Sequence, residues 1–491
     1  MNFRQISKLL GYLLLFVSLG QTACLGFAYW DHEWGTPRID AAEGFLNSLI
    51  SSLLGALGLI AFGWRASGDL LRRESVSAVG FGWVVCTLFG AIPFALCEPR
   101  LDVAGAIFES VSGFTTTGAS VIEDLENVPR SVLLWRSLTQ WFGGMGILVL
   151  FVALVASIGA SSKALFRHES STMETEGFSP RIQRISSQLW GVYFCFTIVA
   201  FLGLYALGMG KFEAVCHTFA VVSTGGFGTH SLSVAYFDSM AIELWLTFMM
   251  VIGSINFMLY GWLVRGRWDR WRQDEASRYF ILTICLSTLI IATDLMIFGG
   301  EESILDSFRI SLFQVVSIMS TTGFTTADYG RWPALSDVIL LLLMLVGGCA
   351  GSTAGGIKVG RWILFFKILR QKLVQTFRPN LVSRLTLNGN LVTDSLRVDC
   401  LFLIVVAGVS IVFGTLLVSL LQPEMDIDSC LSATIATLFN IGPGLGAVGP
   451  VENYAFLHAP TKLVLAFLML LGRLEFYALL VIFVPSLWKK Y

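Results

Sequence analysis

Ten long apolar runs restrict the fold of this 491-residue chain more than any other feature of its sequence. A helix needs about 20 apolar residues to cross the hydrocarbon core of a bilayer. Only 14% of the residues are charged, whereas soluble proteins carry about 25%, so the chain cannot cover a water-facing surface. We therefore predict an all-α membrane protein with ten transmembrane helices, not a soluble enzyme or a disordered scaffold. The predicted spans lie near residues 9–30, 44–64, 75–97, 131–160, 186–209, 239–264, 278–299, 334–370, 398–421 and 460–487.

The basic residues predict the orientation of these spans. An even number of spans places both termini on one side, and most Lys and Arg residues fall in the termini and the loops of that side, as in 265–272 and 367–397. Positively charged loops stay in the cytoplasm, so both termini are predicted to be cytoplasmic. The first run is predicted to be a retained span, since no A-x-A cleavage site follows a short apolar stretch.

Four short segments are too short to cross a membrane and too apolar for exposed loops: 104–117, 212–225, 306–322 and 428–441. Each lies between two spans, and each leads into one of four turn glycines, Gly118, Gly226, Gly323 and Gly442. Internal repeats of this kind define an architecture. We predict an N-terminal hairpin followed by four pseudo-repeats of helix, re-entrant pore loop and helix around one pore. The predicted divisions are 1–70 for the hairpin and 71–163, 164–272, 273–380 and 381–491 for the repeats, the third with a broken second helix.

Re-entrant backbone is tolerated at membrane depth only when protein buries it or it lines a wet cavity. Four such turns around an axis would point carbonyl groups at one line, where carbonyls replace the hydration shell of a cation. Glycine allows the positive φ that such turns need, and each half-helix points its partly negative C-terminus at the axis. A single motif of this kind is typical of a helix kink or a packing site, but four in register favour a path for cations.

The turn motifs resemble those of the Trk/Ktr/HKT superfamily of potassium transporters, and most closely its TrkH-type subunits. The matching motifs are SGFTTTGAS, VSTGGFGTH, STTGFTTADYG, GGCAGSTAGGIK, FNIGPGLGAVGP and GRLEFY, spread over residues 70–490. The resemblance implies a bacterial inner-membrane protein that transports potassium, passes rubidium and binds no organic cofactor. In some plant relatives that prefer sodium the first turn glycine is serine. The filter implied by the resemblance comprises Thr116, Thr117, Gly118, Thr224, Gly225, Gly226, Thr321, Thr322, Gly323, Asn440, Ile441 and Gly442.

The span 334–370 is too long for one straight helix and is interrupted by glycines. Close helix packing through small residues is one explanation. The other, which the TrkH resemblance implies, is a flexible loop that gates the pore beneath the filter. Arg473 lies in an otherwise apolar span, and we expect it below the filter, bound to carbonyls of this loop or forming a barrier to cations. The predicted gate residues are Gly347, Gly348, Gly351, Ser352, Thr353, Gly355, Gly356, Lys358 and Arg473.

Three other polar residues lie near the first two turns. Glu109 in the first half-helix serves either a structural hydrogen bond or ion capture. His217 and His230 flank the second turn without companions at ligand spacing, so we predict no metal site there beyond the potassium path. No paired catalytic acids or Ser/His pair supports an intramembrane enzyme. A transporter coupled to protons or sodium remains the alternative function, since transporters also use broken helices.

Two basic segments predicted to be cytoplasmic, 265–278 and 361–397, are candidate contact sites for lipid or for another subunit. They are explained either by positive-inside bias with lipid headgroup contact or by docking to another subunit. The resemblance implies a homodimer on a ring of cytosolic, nucleotide-binding TrkA-type subunits. The chain has no G-x-G-x-x-G or Walker motif, so nucleotide control would come from another chain. No nucleic-acid partner is predicted.

Overall fold

The computed structural model describes residues 2–32, 41–66, 72–146, 180–300, 303–379, 384–485 and 488. This part of the chain is mostly helical, with short 3₁₀ turns and one antiparallel ribbon of β1 (Thr386–Leu387) and β2 (Asn390–Leu391). The α-helices, numbered along the chain, are α1 Phe3–Trp30, α2 Ala41–Gly63, α3 Arg72–Leu96, α4 Val103–Phe114, α5 Arg130–Gly144, α6 Pro180–Ala206, α7 Lys211–Val222, α8 Met240–Ser254, α9 Phe257–Val264, α10 Trp268–Gln273, α11 Glu275–Phe298, α12 Ile304–Met319, α13 Ala334–Met344, α14 Val359–Phe377, α15 Asp394–Leu421, α16 Ile427–Leu438, α17 Ala459–Arg473 and α18 Tyr477–Leu480.

Six of the described helices are long and apolar enough to cross a membrane, and two bent helix pairs raise that number to eight. These helices establish the helical membrane-protein class, while the predicted count of ten stays a prediction. The second half of the predicted span 131–160 lies outside the described residues from 147 onward. The predicted repeat boundaries near residues 70, 163 and 380 also lie outside the described residues.

Helices α1 and α2 form the N-terminal hairpin, and small residues let them approach closely. A Cβ on Gly11 would lie 2.8 Å from the Ala56 carbonyl oxygen. On the other side, Phe45 of α2 packs edge-on against Trp135 of α5. The hairpin therefore supports the helices that follow it.

After the hairpin, the described elements recur in one order: a long helix, a half-length helix, a turn and another helix. The half-helices α4, α7 and α16 have 12 residues each, and α12 has 16. Asp102, Ser303 and Asp426 cap α4, α12 and α16, each accepting a hydrogen bond from a first-turn N–H. Such caps satisfy N–H groups that a helix start leaves open, so these half-helices begin where the sequence signals it.

Two predicted spans, 239–264 and 460–487, are wrong as single helices. The first is α8 and α9, bent by 94°, and the second is α17 followed by Tyr477–Phe483, bent by 115°. In the first, the carbonyls of Gly253 and Ser254 leave the helix to accept N–H groups of Thr353 and Cys349. A hydrogen-bond partner from another part of the chain thus replaces the next turn of helix.

The span 334–370 is interrupted, because α13 ends at Met344 and α14 begins at Val359. Residues 345–358 between them, here called the glycine loop, are not helical. Packing of small residues along a continuous helix therefore does not explain these glycines. Gly347, Gly351 and Gly356 have φ near +72 to +77°, a region that glycine enters without a Cβ clash.

Candidate functional site

The turns that follow the four half-helices share one backbone conformation. The residue two positions before each turn glycine, Thr116, Thr224, Thr321 or Asn440, has φ of 53–57°, and the four glycines have φ of 79–101°. Each half-helix ends in a Schellman motif, as in the Thr117 N–H bond to the Ser112 carbonyl at 2.9 Å. A threonine in this left-handed conformation is an outlier that costs about 1–2 kcal/mol. Strain of this kind persists where the surroundings enforce it, and it collects at functional sites.

The four turns contact one another in a closed ring. A Cβ on Gly118 would lie 2.2 Å from the Gly225 carbonyl oxygen of the next turn. A Cβ on Gly226 would lie 1.8 Å from the Thr322 carbonyl oxygen, and one on Gly323 would lie 2.1 Å from that of Ile441. A Cβ on Gly442 would lie 2.6 Å from the carbonyl oxygen of Thr117. The order runs from the first turn to the fourth and back to the first, so the sequence-predicted filter residues are brought together. No room for a Cβ exists at any of the four glycines.

The ring exposes backbone groups, whereas its side chains are buried. The Thr116, Thr117, Thr224, Thr321 and Thr322 side chains are buried, whereas Gly118, Gly226 and Gly323 keep partial exposure. Four helix C-termini, which carry partial negative charge, end at this ring. Among the described residues no group of His, Cys, Asp and Glu could hold a metal ion. Backbone oxygens gathered in such a ring can coordinate a hard cation.

The glycine loop lies against the C-terminal ends of three half-helices. Thr353 is its main anchor: its hydroxyl lies 3.2 Å from the Val222 carbonyl and 3.1 Å from the Gly253 carbonyl. The Gly355 N–H donates to the Thr321 hydroxyl at 2.6 Å, and a Cβ on Gly355 would lie 2.5 Å from the Phe439 carbonyl oxygen. The loop thereby contacts the second, third and fourth turns at once.

Arg473 connects the glycine loop to two other repeats. Its guanidinium donates to the Thr353 carbonyl at 3.0 Å and to the Gly143 and Gly144 carbonyls at 2.5 and 3.3 Å. Within the loop, the Lys358 ammonium donates to the Ala354 carbonyl, and the Ser352 hydroxyl donates to the Cys349 carbonyl at 2.7 Å. The Arg473 and Lys358 side chains thus both bind carbonyl groups at the glycine loop.

A cavity of about 460 Å³ opens beside the glycine loop. Arg473, Lys358 and Glu475 line it together with loop residues and the β-ribbon. Glu475 is bound to Arg361 at 2.5 Å, which ties α14 to the end of α17. None of the four turn glycines lines this cavity.

A buried ion pair stands behind the first turn, and sequence reasoning did not single out its basic member. Arg136 of α5 donates to Glu109 of α4 at 2.8 Å, and both side chains are almost fully buried. Glu109 also accepts the Val121 N–H at 2.9 Å and the Ser120 hydroxyl at 3.0 Å. Glu109 therefore makes the structural hydrogen bonds that are one of its two predicted roles. An arginine inside the apolar run 131–160 was the signal that could have revealed the pair.

Outside the membrane-spanning helices, the loops of the first two repeats are also joined. The Glu126 carboxylate accepts the Ser231 N–H at 3.0 Å and the Ser231 hydroxyl at 2.7 Å. The Ser231 hydroxyl holds the pKa of Glu126 at about 2 against its burial, so this carboxylate is charged at neutral pH. His217 and His230 flank the second turn in the sequence. The His217 ring bonds the Glu213 carbonyl, and the His230 ring stacks on Tyr236.

Removing Arg136 should destabilise the protein strongly. We expect Arg136→Leu to lower the stability by about 3–5 kcal/mol, because it leaves the Glu109 carboxylate buried without a counter-charge. Adding Glu109→Gln should recover part of that loss, since the amide still accepts the Val121 N–H. Thermal unfolding of the purified variants in detergent measures both effects. A double variant no more stable than Arg136→Leu would contradict the buried-charge explanation.

The helical membrane fold, the ring of backbone turns and the loop beneath it define a membrane transporter for cations. A family model described as TrkH, cation transport protein, matches residues 69–490. The chain belongs to this TrkH family, whose members are potassium transporters and not enzymes.

Individual relatives agree with the family model. The chain is 35% identical over its whole length to the whole of the Trk system potassium uptake protein TrkH of Escherichia coli K12. It is 30% identical to the TrkG protein of the same strain, covering 87% of this chain and 88% of the relative. The crystal structure of the potassium transporter TrkH from Vibrio parahaemolyticus matches with a TM-score of 0.87, 31% identity and full coverage of both chains.

Proposed function

We propose that this chain takes up potassium through a selectivity filter formed by the ring of four turns. The observation that carries this proposal is the closed contact of each turn glycine with the carbonyl of the next turn. Backbone oxygens held by packed half-helices can replace the water around potassium, and the helix C-termini favour a cation electrostatically. The ion is the cargo of the protein, and no organic cofactor takes part. The proposed filter residues are Thr116, Thr117, Gly118, Thr224, Gly225, Gly226, Thr321, Thr322, Gly323, Asn440, Ile441 and Gly442.

The proposed architecture is a hairpin and four pore repeats with ten membrane-crossing segments. The recurring helix, half-helix, turn and helix order supports it. The family and the distribution of basic residues favour the bacterial inner membrane with both termini in the cytoplasm.

We propose that the glycine loop closes this path. It contacts three of the four turns and is held by Thr353 and by Arg473, so potassium can pass only after these contacts change. Glycine residues allow the φ and ψ changes of such a movement. Arg473 and Lys358 add positive charge at the same place, which raises the barrier to a cation while the loop is closed. The proposed gate residues are Gly347, Gly348, Gly351, Ser352, Thr353, Gly355, Gly356, Lys358 and Arg473.

The names of the relatives place them in a Trk system, and we propose a multi-component system here as well. A homodimer bound to a cytosolic, nucleotide-binding TrkA-type subunit fits that system, and lipid headgroups fit the basic segments 265–278 and 361–397. Control by nucleotide would act through the partner and reach the glycine loop through the helices that flank it.

Rubidium uptake into liposomes that contain the purified chain tests the function. We expect uptake that follows the rubidium or potassium gradient alone, is competed by potassium and is weakly competed by sodium. An imposed proton gradient should leave it unchanged, because none of the twelve proposed filter residues has a titratable side chain. We expect an imposed sodium gradient to leave it unchanged as well. Uptake that requires either gradient would favour the alternative, a symporter coupled to protons or sodium.

A further inference from the structure

Gln140 of α5 holds the second turn from outside its own repeat. Its side chain is fully buried, and its amide uses both ends on the backbone. The Nε2 group donates to the Gly225 carbonyl at 2.6 Å, and the Oε1 atom accepts the Phe227 N–H at 3.1 Å. These two backbone groups flank the turn glycine Gly226, so one side chain fixes the chain on both sides of it.

Gly225 is glycine for reasons of space. The equivalent residues of the other turns are Thr117, Thr322 and Ile441, all of which carry side chains. Gly225 has no positive φ, so backbone conformation does not require glycine. A Cβ there would lie 2.5 Å from Cδ of Gln140, closer than atoms can approach. The second turn thus lacks a side chain at position 225, and the Gln140 amide occupies that space.

The helix that carries Gln140 is fixed to the same turn one helical turn away. Arg136 donates to the Gly228 carbonyl at 3.0 Å, and its guanidinium lies 4.1 Å from the centre of the Phe227 ring. Its Nε group is held by Glu109 of the first half-helix. The position of the second turn therefore depends on side chains of the first repeat.

We infer that Gln140 is a positioning residue that sets the discrimination between potassium and sodium, with Arg136 as its support. The inference rests on the proposed filter. A filter that selects by cavity size needs its carbonyls held at distances suited to the larger ion, and glycine is the residue that loses most conformational freedom when it is fixed. The Gln140 amide restrains the Gly225 carbonyl and the Phe227 N–H in place of a local side chain. Without it, the second turn relaxes and the ring accepts the smaller ion.

The variant Gln140→Met tests this inference, because it keeps the length of the side chain and removes both hydrogen bonds. We expect the preference for rubidium over sodium, measured in liposomes with the full chain, to fall by about tenfold, while rubidium uptake itself persists. Ser137→Ala on the same helix is the matched control, since the Ser137 hydroxyl bonds the Leu133 carbonyl of its own helix and the Cys216 side chain, and not the backbone of the second turn. It should leave the preference unchanged.

A second variant keeps the test decisive if Gln140→Met folds poorly. Gly225→Ala retains every polar group and pushes the Gln140 amide aside, so it should lower the preference in the same direction. An unchanged preference in both variants would overturn the inference, as would an equal fall in Ser137→Ala. If Gly118→Ser also leaves the preference unchanged, the proposed filter itself fails. A fall in Gly118→Ser alone would leave the filter standing and remove only the role of Gln140.

Discussion

Replacing Gly118 by serine is expected to lower the preference for potassium over sodium by about tenfold or more. The residue has φ of +83°, where a side chain is strained. Its Cβ would lie 2.2 Å from the Gly225 carbonyl oxygen, so the second turn would have to move. Competition of sodium with rubidium uptake in liposomes measures the change.

Gly208→Ser separates backbone strain from damage to the ring. Gly208 has φ of +94°, and a Cβ there would meet no atom within 4 Å. The strain is similar, but the residue lies between α6 and α7, away from the four turns. We expect normal selectivity in this variant. A Gly118→Ser protein with unchanged selectivity would show that the first turn does not select the ion.

Deleting residues 351–353 from the glycine loop should raise partner-free rubidium flux by about tenfold or more. The deletion removes the Thr353 hydroxyl, whose one proton is shared between the Val222 and Gly253 carbonyls, and the carbonyl that Arg473 binds. Each such bond contributes about 1 kcal/mol, and 1.4 kcal/mol corresponds to a factor of ten. The flux is measured in liposomes without any other subunit, where the intact chain should conduct slowly.

Thr353→Val isolates the hydroxyl from the rest of the loop and should give a smaller increase in flux. Thr283→Val is its matched control, because the Thr283 hydroxyl bonds the Tyr279 carbonyl of its own exposed helix face. Flux that stays at the level of the intact chain in a well-folded deletion variant would mean that this loop does not close the path.

The half-helices and their turns could be predicted from the sequence because local chemistry determines them. Asp102, Ser303 and Asp426 mark helix starts, and the turn glycines mark positions with φ > 0. The pattern could be recognised without comparing related sequences, because the chain itself carries four copies of it. The prediction that the four turns meet around one axis rested on the rule that backbone at membrane depth must be buried or line a wet cavity.

The bends in α8–α9 and after α17 could not be predicted in the same way. Both segments are apolar throughout, so hydropathy reports a single span. The first bend exists because Gly253 and Ser254 bind N–H groups of a loop about 100 residues later in the chain. Asn256, which caps α9 by accepting the Met258 N–H, was the local signal. Near the second bend, Glu475 and Phe476 adopt positive φ without a glycine.

The side chains behind the ring were also beyond sequence reasoning. Gln140 and Arg136 lie four residues apart on one helix face, which could have indicated a shared role. Their partners, Gly225, Phe227 and Gly228, lie in another repeat. Only the packing of the first repeat on the second reveals that contact.

The most direct test of the account is the position of bound rubidium in crystals of the full chain, located by anomalous scattering. We expect rubidium on the line encircled by Gly118, Gly226, Gly323 and Gly442, with backbone oxygens as its ligands. Rubidium bound elsewhere in the protein, with none inside this circle, would contradict the assignment of the four turns as the path of the ion.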